Sequence, residues 1–476
     1  MEQPALQILP AFQILAEAAT RLGRASVLVV GDAMLDRYIY GDVDRISPEA
    51  PVPVLCIQRE LAVPGGAANV VRNLGALGAA VAFVSVVGDD QAGSDLTGLI
   101  GGQPGVEPWL LVQGGRATTL KTRFIGHGQQ LLRADREDAV PVDAKLAERL
   151  VRIARDAIAA TSVTILSDYG KGVLAGDVPG TLMAAARQAG RPVVVDMRGP
   201  DFARYAGADV LTTSWRNLTR ATQRQTETDA TVALAAADLR RTHDLGAVVI
   251  LRTGHSLTVV IRGDGNDAPD EVLQLRNQSI DTSDTSGLRD TVVAMLAASL
   301  AVGLPLPVAA GLANVAGSVL AGRVGTALVR QPDLLAALTP RAADHKIMSR
   351  EAAAERVERW HRVGWRAGFV LGAFDNATTP EVAAMLEHAR SSCDRLVVGL
   401  ARDGVEPEAI RAARLAALPS VDLVVSSGAE PTEELLRTLR PDLLIEAAGT
   451  AGRSARAELI SEWGGRVLAA SQPEPV

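Results

Sequence analysis

The chain has 476 residues, 47% of them apolar and 22% charged, with a formal net charge of -7; this length exceeds one ordinary core, so two globular domains are expected. The acidic balance argues against a nucleic-acid partner and against binding to an anionic membrane surface. Cys56 and Cys393 form no CxxC or CxxH spacing, which leaves a disulfide scaffold and a structural zinc site without support and fits a reducing cytoplasm.

The opening stretch MEQPALQILPAFQILAEAATRLGRA has no basic leader ahead of its apolar residues. No apolar run reaches membrane-spanning length, so neither an export signal nor a membrane anchor is expected. From Ala25, ASVLVVGDAMLDRY reads as a buried strand followed by a turn. Next, YIYGDVDRISPEAPVPVLCIQRE has short alternating runs punctuated by proline. That is the pattern of a small antiparallel flap beside a main sheet, a candidate lid, dimer contact or both.

Further buried strands are expected at VAFVSVVGDD, VTILSDYG, RPVVVDMRG, ADVLTTS and GAVVILRTG, separated by alanine-rich helices such as AKLAERLVRIARDAIAA. Strands alternating with helices predict an α/β fold, a mostly parallel sheet with helices on both faces. Functional residues then belong in loops at the carboxyl ends of the strands, where GDD, SDYGKG, DMRG and RTG fall. The pattern weakens after NVAGSVLAGRVGTALV, and a second alternating series begins at WRAGFVLGAFD. It continues through DRLVVGLARD, VDLVVSS, DLLIEAA and GRVLAA, which suits a smaller parallel sheet. The expected division is a first domain over 1–338, a linker and leading helix over 339–365, and a second domain over 366–476.

Two stretches of the first domain carry chemistry. In SDTSGLRDTVVAML, Gly287, Leu288, Arg289 and Asp290 open a helix. Their backbone amides and the positive helix end form an anion loop, and Asp290 is placed to take a hydroxyl proton. A plain helix cap uses the same residue types. PGGAANVVRNLGALGA supplies Gly65 and Gly66, where backbone can approach a ligand, and Asn69, which can hydrogen-bond hydroxyls. A tight strand-to-helix packing turn is the alternative use of these residues. The six histidines are scattered, so no metal ligands are assigned.

Taken in order, VVGDAMLDRYIYGDVDRISPEAPVPV, PGGAANVVRNLGALGA, LSDYGKGVL and DTSGLRDTVVAM resemble the ribokinase-like carbohydrate kinases. In particular they resemble the kinase half of the bifunctional heptose-7-phosphate kinase/heptose-1-phosphate adenylyltransferase family. KIMSREAAAERVERW and GFVLGAFD resemble that family's approach to its nucleotidyltransferase domain. The resemblance implies a ribokinase-like domain with a β flap, followed by a smaller Rossmann-like domain of nucleotidyltransferase type. It implies ATP- and Mg2+-dependent phosphorylation of a heptose 7-phosphate at its anomeric hydroxyl, then AMP transfer giving ADP-heptose, a lipopolysaccharide precursor. It places Asp36, Gly65, Gly66 and Asn69 around the sugar, Lys171 toward the sugar's phosphate, and Asp290 as base. Asn314 and Gly325 would border the adenine, although helix packing accounts equally for the small residues there. A homodimer through the 38–60 flap is also implied. The whole assignment requires Asp290 to lie beside the Gly65–Asn69 turn.

The chain also departs from that pattern. Where the family has a small residue and a glycine before the aspartate, this loop has Leu288 and Arg289. A left-handed Arg289 would carry about 1–2 kcal/mol of strain. The two side chains are expected either to fill the space of the terminal phosphate, with Arg289 pairing to Asp290, or to let Arg289 clamp the phosphate. The family's Asn-x-x-Glu magnesium element is represented by Ser214 and Asn217, without a carboxylate, and Ser256 stands at a glycine position near the nucleotide. In the second domain the family's His-x-Gly-His pair is replaced by Thr378, Thr379, Pro380 and Glu381, and Glu446 stands where a lysine belongs. Adenylyl transfer is therefore expected to be lost. Two readings follow, an active sugar-phosphate kinase and a noncatalytic pseudoenzyme that retains a sugar-phosphate site. A purely structural dimerisation role has only the flap in its favour.

Overall fold

The computed structural model describes residues 5–6, 12–224, 226–252, 256–263, 268–275, 287–321, 327–338, 346–374, 379–401, 408–426, 432–447 and 453–470. Of the residues singled out above, Ser283–Ser286, Gly325 and Thr378 lie outside that set, as do the side chains of Pro380 and Glu381. The chain divides into two compact units, Met1–Leu338 and Thr339–Val476.

The first unit runs β1 (Ala5–Leu6), α1 (Phe12–Arg21), β2 (Ser26–Gly31), β3 (Ala33–Ile46), β4 (Pro53–Gly66), α2 (Ala67–Ala76), β5 (Ala80–Gly88), α3 (Gln91–Gly101) and β6 (Val106–Gln113). It continues with β7 (Thr119–Gly126), β8 (Gln129–Arg136), α4 (Ala144–Ala160), β9 (Val163–Asp168), α5 (Val178–Gln188) and β10 (Val193–Met197). Then come β11 (Val210–Ser214), α6 (Trp215–Thr222), α7 (Asp229–Thr242), β12 (Ala247–Leu251), β13 (Leu257–Ile261) and β14 (Glu271–Leu275). Helices α8 (Leu288–Ala301), α9 (Leu306–Ala321) and α10 (Gln331–Leu338) close the unit.

Ten strands form the main sheet in the order β1-β14-β13-β12-β11-β10-β9-β2-β5-β6. Every neighbouring pair from β12 to β6 is parallel, and β13 and β14 add an antiparallel edge. Strand β2 shows why the sheet is covered twice. Val27 and Val29 enter one apolar core and Leu28 and Val30 the other, the period-two alternation of a strand buried on both faces. The chain builds outward from β2 to β5 and β6 on one side, then to β9 and beyond on the other. The β2–β9 boundary is thus a topological switch point, where carboxyl-end loops part to leave a crevice.

The flap is larger than the proline pattern indicates. Strands β3 and β4 pair antiparallel from Ala33 to Gly66, and β7 and β8 extend them to a four-stranded sheet in the order β4-β3-β7-β8. The turn expected after β2 is a single residue, Asp32, which joins the main sheet directly to the flap.

The second unit comprises β15 (Ile347–Met348), α11 (Arg350–Arg362), β16 (Ala367–Gly372), α12 (Pro380–Ser391), β17 (Arg395–Leu400), α13 (Glu408–Ala416), β18 (Leu423–Ser426), α14 (Thr432–Leu439), β19 (Leu443–Ala447), α15 (Arg453–Ser461) and β20 (Arg466–Ala470). Its strands are all parallel, in the order β15-β18-β17-β16-β19-β20. Ser349 caps α11 by accepting from the Ala352 amide, as a serine does at a helix start. Ala353, Val357 and Trp360 then pack with Phe369 and Val397, so the segment expected as linker and leading helix contributes to this unit's core. Among the described residues no helix is long and apolar enough to cross a membrane.

Candidate active site

Two helices begin beside one another at the crevice. Strand β4 ends at Gly66, whose φ is +58°, a left-handed turn that costs glycine little; α2 follows, with Asn69 in its first turn. Gly287, at φ +82°, does the same before α8. The side chain of Asn69 donates to Asp290 Oδ2 at 2.7 Å. The requirement that Asp290 lie beside the Gly65–Asn69 turn is met.

Asp290 is only 5% exposed. Its Oδ1 accepts from the Tyr169 hydroxyl at 2.6 Å, and Arg198 Nη2 stands 3.4 Å away. Burial raises its pKa above the ordinary aspartate value; Arg198 opposes that rise and the nearby Asp196 adds to it. A carboxyl shifted in this direction is closer to the pKa that a general base needs near neutrality. Burial, and next the charge of Asp290, raise the Tyr169 hydroxyl, so it stays a donor. Arg198 stacks on the Tyr169 ring at 4.4 Å and donates to its hydroxyl at 2.9 Å. Burial opposes the Arg198 charge, but Tyr169, Asp196 and Asp290 together lift its pKa above the ordinary arginine value.

The expectations for Leu288 and Arg289 are corrected by their positions. Leu288 is buried in the apolar core beneath α8. Arg289 is helical rather than left-handed, since Gly287 makes the left-handed turn. Its guanidinium bonds to Asp196, to the Met197 carbonyl and, at 3.1 Å, to the Thr212 carbonyl. These are partners on β10 and β11, and the cation that approaches Asp290 is Arg198. Burial lowers the Arg289 pKa while Asp196 holds it up.

Asp32, which the motifs did not single out, organises the other side. Buried at the β2–β3 junction, it accepts from the amides of Tyr169 at 2.8 Å, Lys171 at 3.0 Å and Val173 at 3.0 Å. It thereby clips SDYGKG to the main sheet and sets Tyr169 against Asp290. Burial raises the Asp32 pKa, and those amides work against the rise. Asp36 accepts from Arg123 at 2.6 Å. A Cβ at Gly65 would fall 2.1 Å from Asp36 Oδ2, so the glycine is what lets that carboxylate lie against the backbone. Lys171 Nζ pairs with Glu137 at 2.8 Å, and Lys121 reaches the same carboxylate at 3.3 Å.

Asn314 lies half-buried on α9, with its carbonyl accepting from Ser318 Oγ at 3.1 Å. Ser214 caps α6, and Asn217 Nδ2 donates to the Arg198 carbonyl at 2.9 Å. Both side chains are thus engaged, and no group of three or more His, Cys, Asp or Glu among the described residues is arranged to hold a metal ion. Ser214 and Asn217, so engaged, offer no carboxylate to a magnesium ion. An open cavity of about 600 Å3 beside α6, bordered by Trp215, Arg224 and Arg252, includes none of the expected site residues. In the second unit, Glu446 at the end of β19 pairs with Arg456 at 2.6 Å.

A ribokinase-like sheet, a flap and a carboxylate at a helix entrance define a carbohydrate-kinase unit, and residues 24–333 match the family model described as pfkB family carbohydrate kinase. The chain is 52% identical to the bifunctional protein HldE of Acidiphilium cryptum over 94% of its own length and 93% of that protein's. It is 45% identical to the same-named protein of Paramagnetospirillum magneticum, over 96% and 95%. The chain therefore belongs to the pfkB carbohydrate kinases in its first unit and, along nearly its whole length, to the family of the bifunctional protein HldE, as the order of its motifs implies. Among solved structures it is similar in fold to phosphofructokinase-2 of Escherichia coli, at TM-score 0.54 and 20% identity over 66% of this chain and 99% of that one. Arabidopsis thaliana ribokinase, solved with ribose and ATP, gives TM-score 0.51 and 19% identity over the same shares.

Replacing Asp32 with alanine leaves the inward-facing amides of the 169–173 loop without their acceptor, at a cost of about 1–3 kcal/mol in stability. Hydrogen exchange in the Asp32→Ala protein is expected to quicken at Tyr169, Lys171 and Val173 while the β10 and β11 amides keep their protection.

Proposed function

We propose that the first unit transfers the terminal phosphoryl group of ATP to the anomeric hydroxyl of a sugar phosphate of the heptose 7-phosphate class, a step toward ADP-heptose. The observation that carries this reading is the buried Asp290, oriented by Asn69 and Tyr169 at the start of α8. Asp290 takes the hydroxyl proton as the sugar oxygen attacks phosphorus. The free amides at the α8 start and the helix dipole favour the negative charge of the phosphoryl group. Asp36, Gly65, Gly66 and Asn69 hold the sugar, and Lys171 faces its phosphate. Asn314 and Gly325 remain the candidates for the adenine side. Magnesium reaches kinases of this type together with ATP and would neutralise phosphate charge there.

We also propose that adenylyl transfer is absent from the second unit. By resemblance Glu446, which pairs with Arg456, stands where the family carries a lysine, and a carboxylate there opposes the charge of a transferring phosphate. The pseudoenzyme reading is favoured by one observation, that Ser214 and Asn217 supply no carboxylate for a metal.

Purified chain with Mg-ATP and a panel of sugar phosphates is expected to release ADP, and Asp290→Asn to lower kcat by about 100-fold or more. Activity should fall as pH drops through the Asp290 pKa, so the acidic limb of kcat/KM is expected above the ordinary aspartate value of 3.8. No ADP with any sugar phosphate, alongside binding of heptose 7-phosphate, selects the pseudoenzyme. Pyrophosphate release from ATP and heptose 1-phosphate would overturn the loss of adenylyl transfer.

We further propose a homodimer through the 38–60 flap, supported by exposed Ile46 and Ile57 there, by Leu61 next to it on β4 and by Leu131 and Leu132 on the adjoining β8. Sedimentation should give twice the chain mass for the native protein and the single chain mass for Ile57→Lys.

A further inference from the structure

Asp290 shares its surroundings with a second carboxylate. Asp196, at the end of β10, has no exposed surface. Its Oδ1 accepts from Arg289 Nε and, at 3.1 Å, from Thr212 Oγ1, while Oδ2 has no hydrogen-bond partner among the described residues. Two cations face these two acids from different elements. Arg289 comes from α8, is 8% exposed, and gives all its hydrogen bonds among the described residues to Asp196 and two backbone carbonyls. Arg198 comes from the loop after β10 and keeps 40% of its side chain exposed while lying against Asp290. The other charged or titratable neighbours are Tyr169, from the loop after β9, and Arg72 on α2, which bonds Asn69 at 3.2 Å rather than Asp290. Arg198 is held on both sides, by the Tyr169 ring and by Asn217 on its own carbonyl.

We propose that Arg198 is a catalytic residue that contacts the migrating phosphoryl group, and that Arg289 is a positioning residue whose pairing with Asp196 leaves Arg198 available for that contact. This rests on the kinase reading. In the step itself, a new bond forms between the sugar oxygen and the terminal phosphorus as the bond from that phosphorus to the ADP oxygen breaks. The hydroxyl proton passes to Asp290, and ADP leaves with the electron pair. Negative charge on the three phosphoryl oxygens meets the Arg198 guanidinium at the exposed end of the site. Without Arg289, Asp196 is a buried uncompensated charge, and Arg198, on whose charge Asp196 already acts, is the cation left to answer it. The site then loses Arg198 to Asp196, and the Asp290 carboxylate loses its own counter-charge.

The test uses the full chain and the variants Arg198→Gln, Arg198→Lys, Arg289→Gly, Asp196→Asn and Asp196→Asn/Arg289→Gly. Arg198→Gln is expected to lower kcat about 100-fold with little change in the KM for the sugar phosphate, and Arg198→Lys to recover about tenfold of that loss. The acidic limb of kcat/KM moves upward in Arg198→Gln and in Arg289→Gly, downward in Asp196→Asn, and returns toward the native position in the double variant. A 13C-carboxyl NMR titration of Asp290 follows the same order without requiring turnover. Should Arg289→Gly fail to fold, Asp196→Asn alone carries the test of the second carboxylate. An Arg198→Gln protein with native kcat, or one changed only in KM, overturns the role of Arg198. An unmoved Asp290 titration in Arg289→Gly and Asp196→Asn overturns the role of Arg289. If the native chain makes no ADP from any sugar phosphate, the kinase reading and the role of Arg198 fall together, and the NMR order still decides what Arg289 does.

Discussion

The contact between Asn69 and Asp290 joins residues 221 positions apart, and the geometry of the site depends on it. It forms because two strands or loops each end in a left-handed glycine, Gly66 and Gly287, that launches a helix toward the same point. A Cβ on Gly287 would come within 3.1 Å of Asn69 Nδ2, so the small residue also keeps the amide in reach of the carboxylate. One turn deeper, Thr291 Oγ1 donates to Asn73 Oδ1 at 2.8 Å and braces the same pair of helices inside the core. Two positive helix ends then share one small volume, an arrangement that favours an anion between them.

Around this contact the charges are balanced rather than scattered. Asp290 and Asp196 are both buried, and Arg198 and Arg289 answer them one for one. Buried acids without such partners would take up protons or destabilise the fold. The bulk of Leu288 is absorbed by burial in the core and that of Arg289 by bonds to β10 and β11 inside the sheet, so the departure from the small-residue pattern changes what supports the helix entrance and leaves the entrance itself in place.

Much of this was legible in the residues. The alternating apolar runs located most of the central parallel strands, and AKLAERLVRIARDAIAA coincides with α4. Periodicity reports local burial, however, and it missed the half-exposed β6 as well as strands whose identity is set by distant partners. β7 and β8 pair with the flap, and β13 and β14 form an edge hairpin. The same limit applies at the site. Gly65, Gly66, Asn69 and Asp290 belong to compact motifs and could be singled out one by one. Asp32, Tyr169, Asp196 and Arg198 sit within quoted stretches, yet the bonds that bring them to Asp290, Arg289 and the 169–173 loop cross 92 to 141 positions of sequence that no spacing reveals. The direction taken by Arg289 was undecidable for the same reason, because its partners lie on β10 and β11.

The ion pair of Arg289 with Asp196 also sets what this loop can tolerate. The Met197 and Thr212 carbonyls and the Asp196 carboxylate all bond the same guanidinium, so exchanging Arg289 alone for glycine strands a buried anion at about 3–5 kcal/mol. A neutral side chain at Asp196 has to accompany that exchange, which ties two positions 93 apart into one unit of substitution.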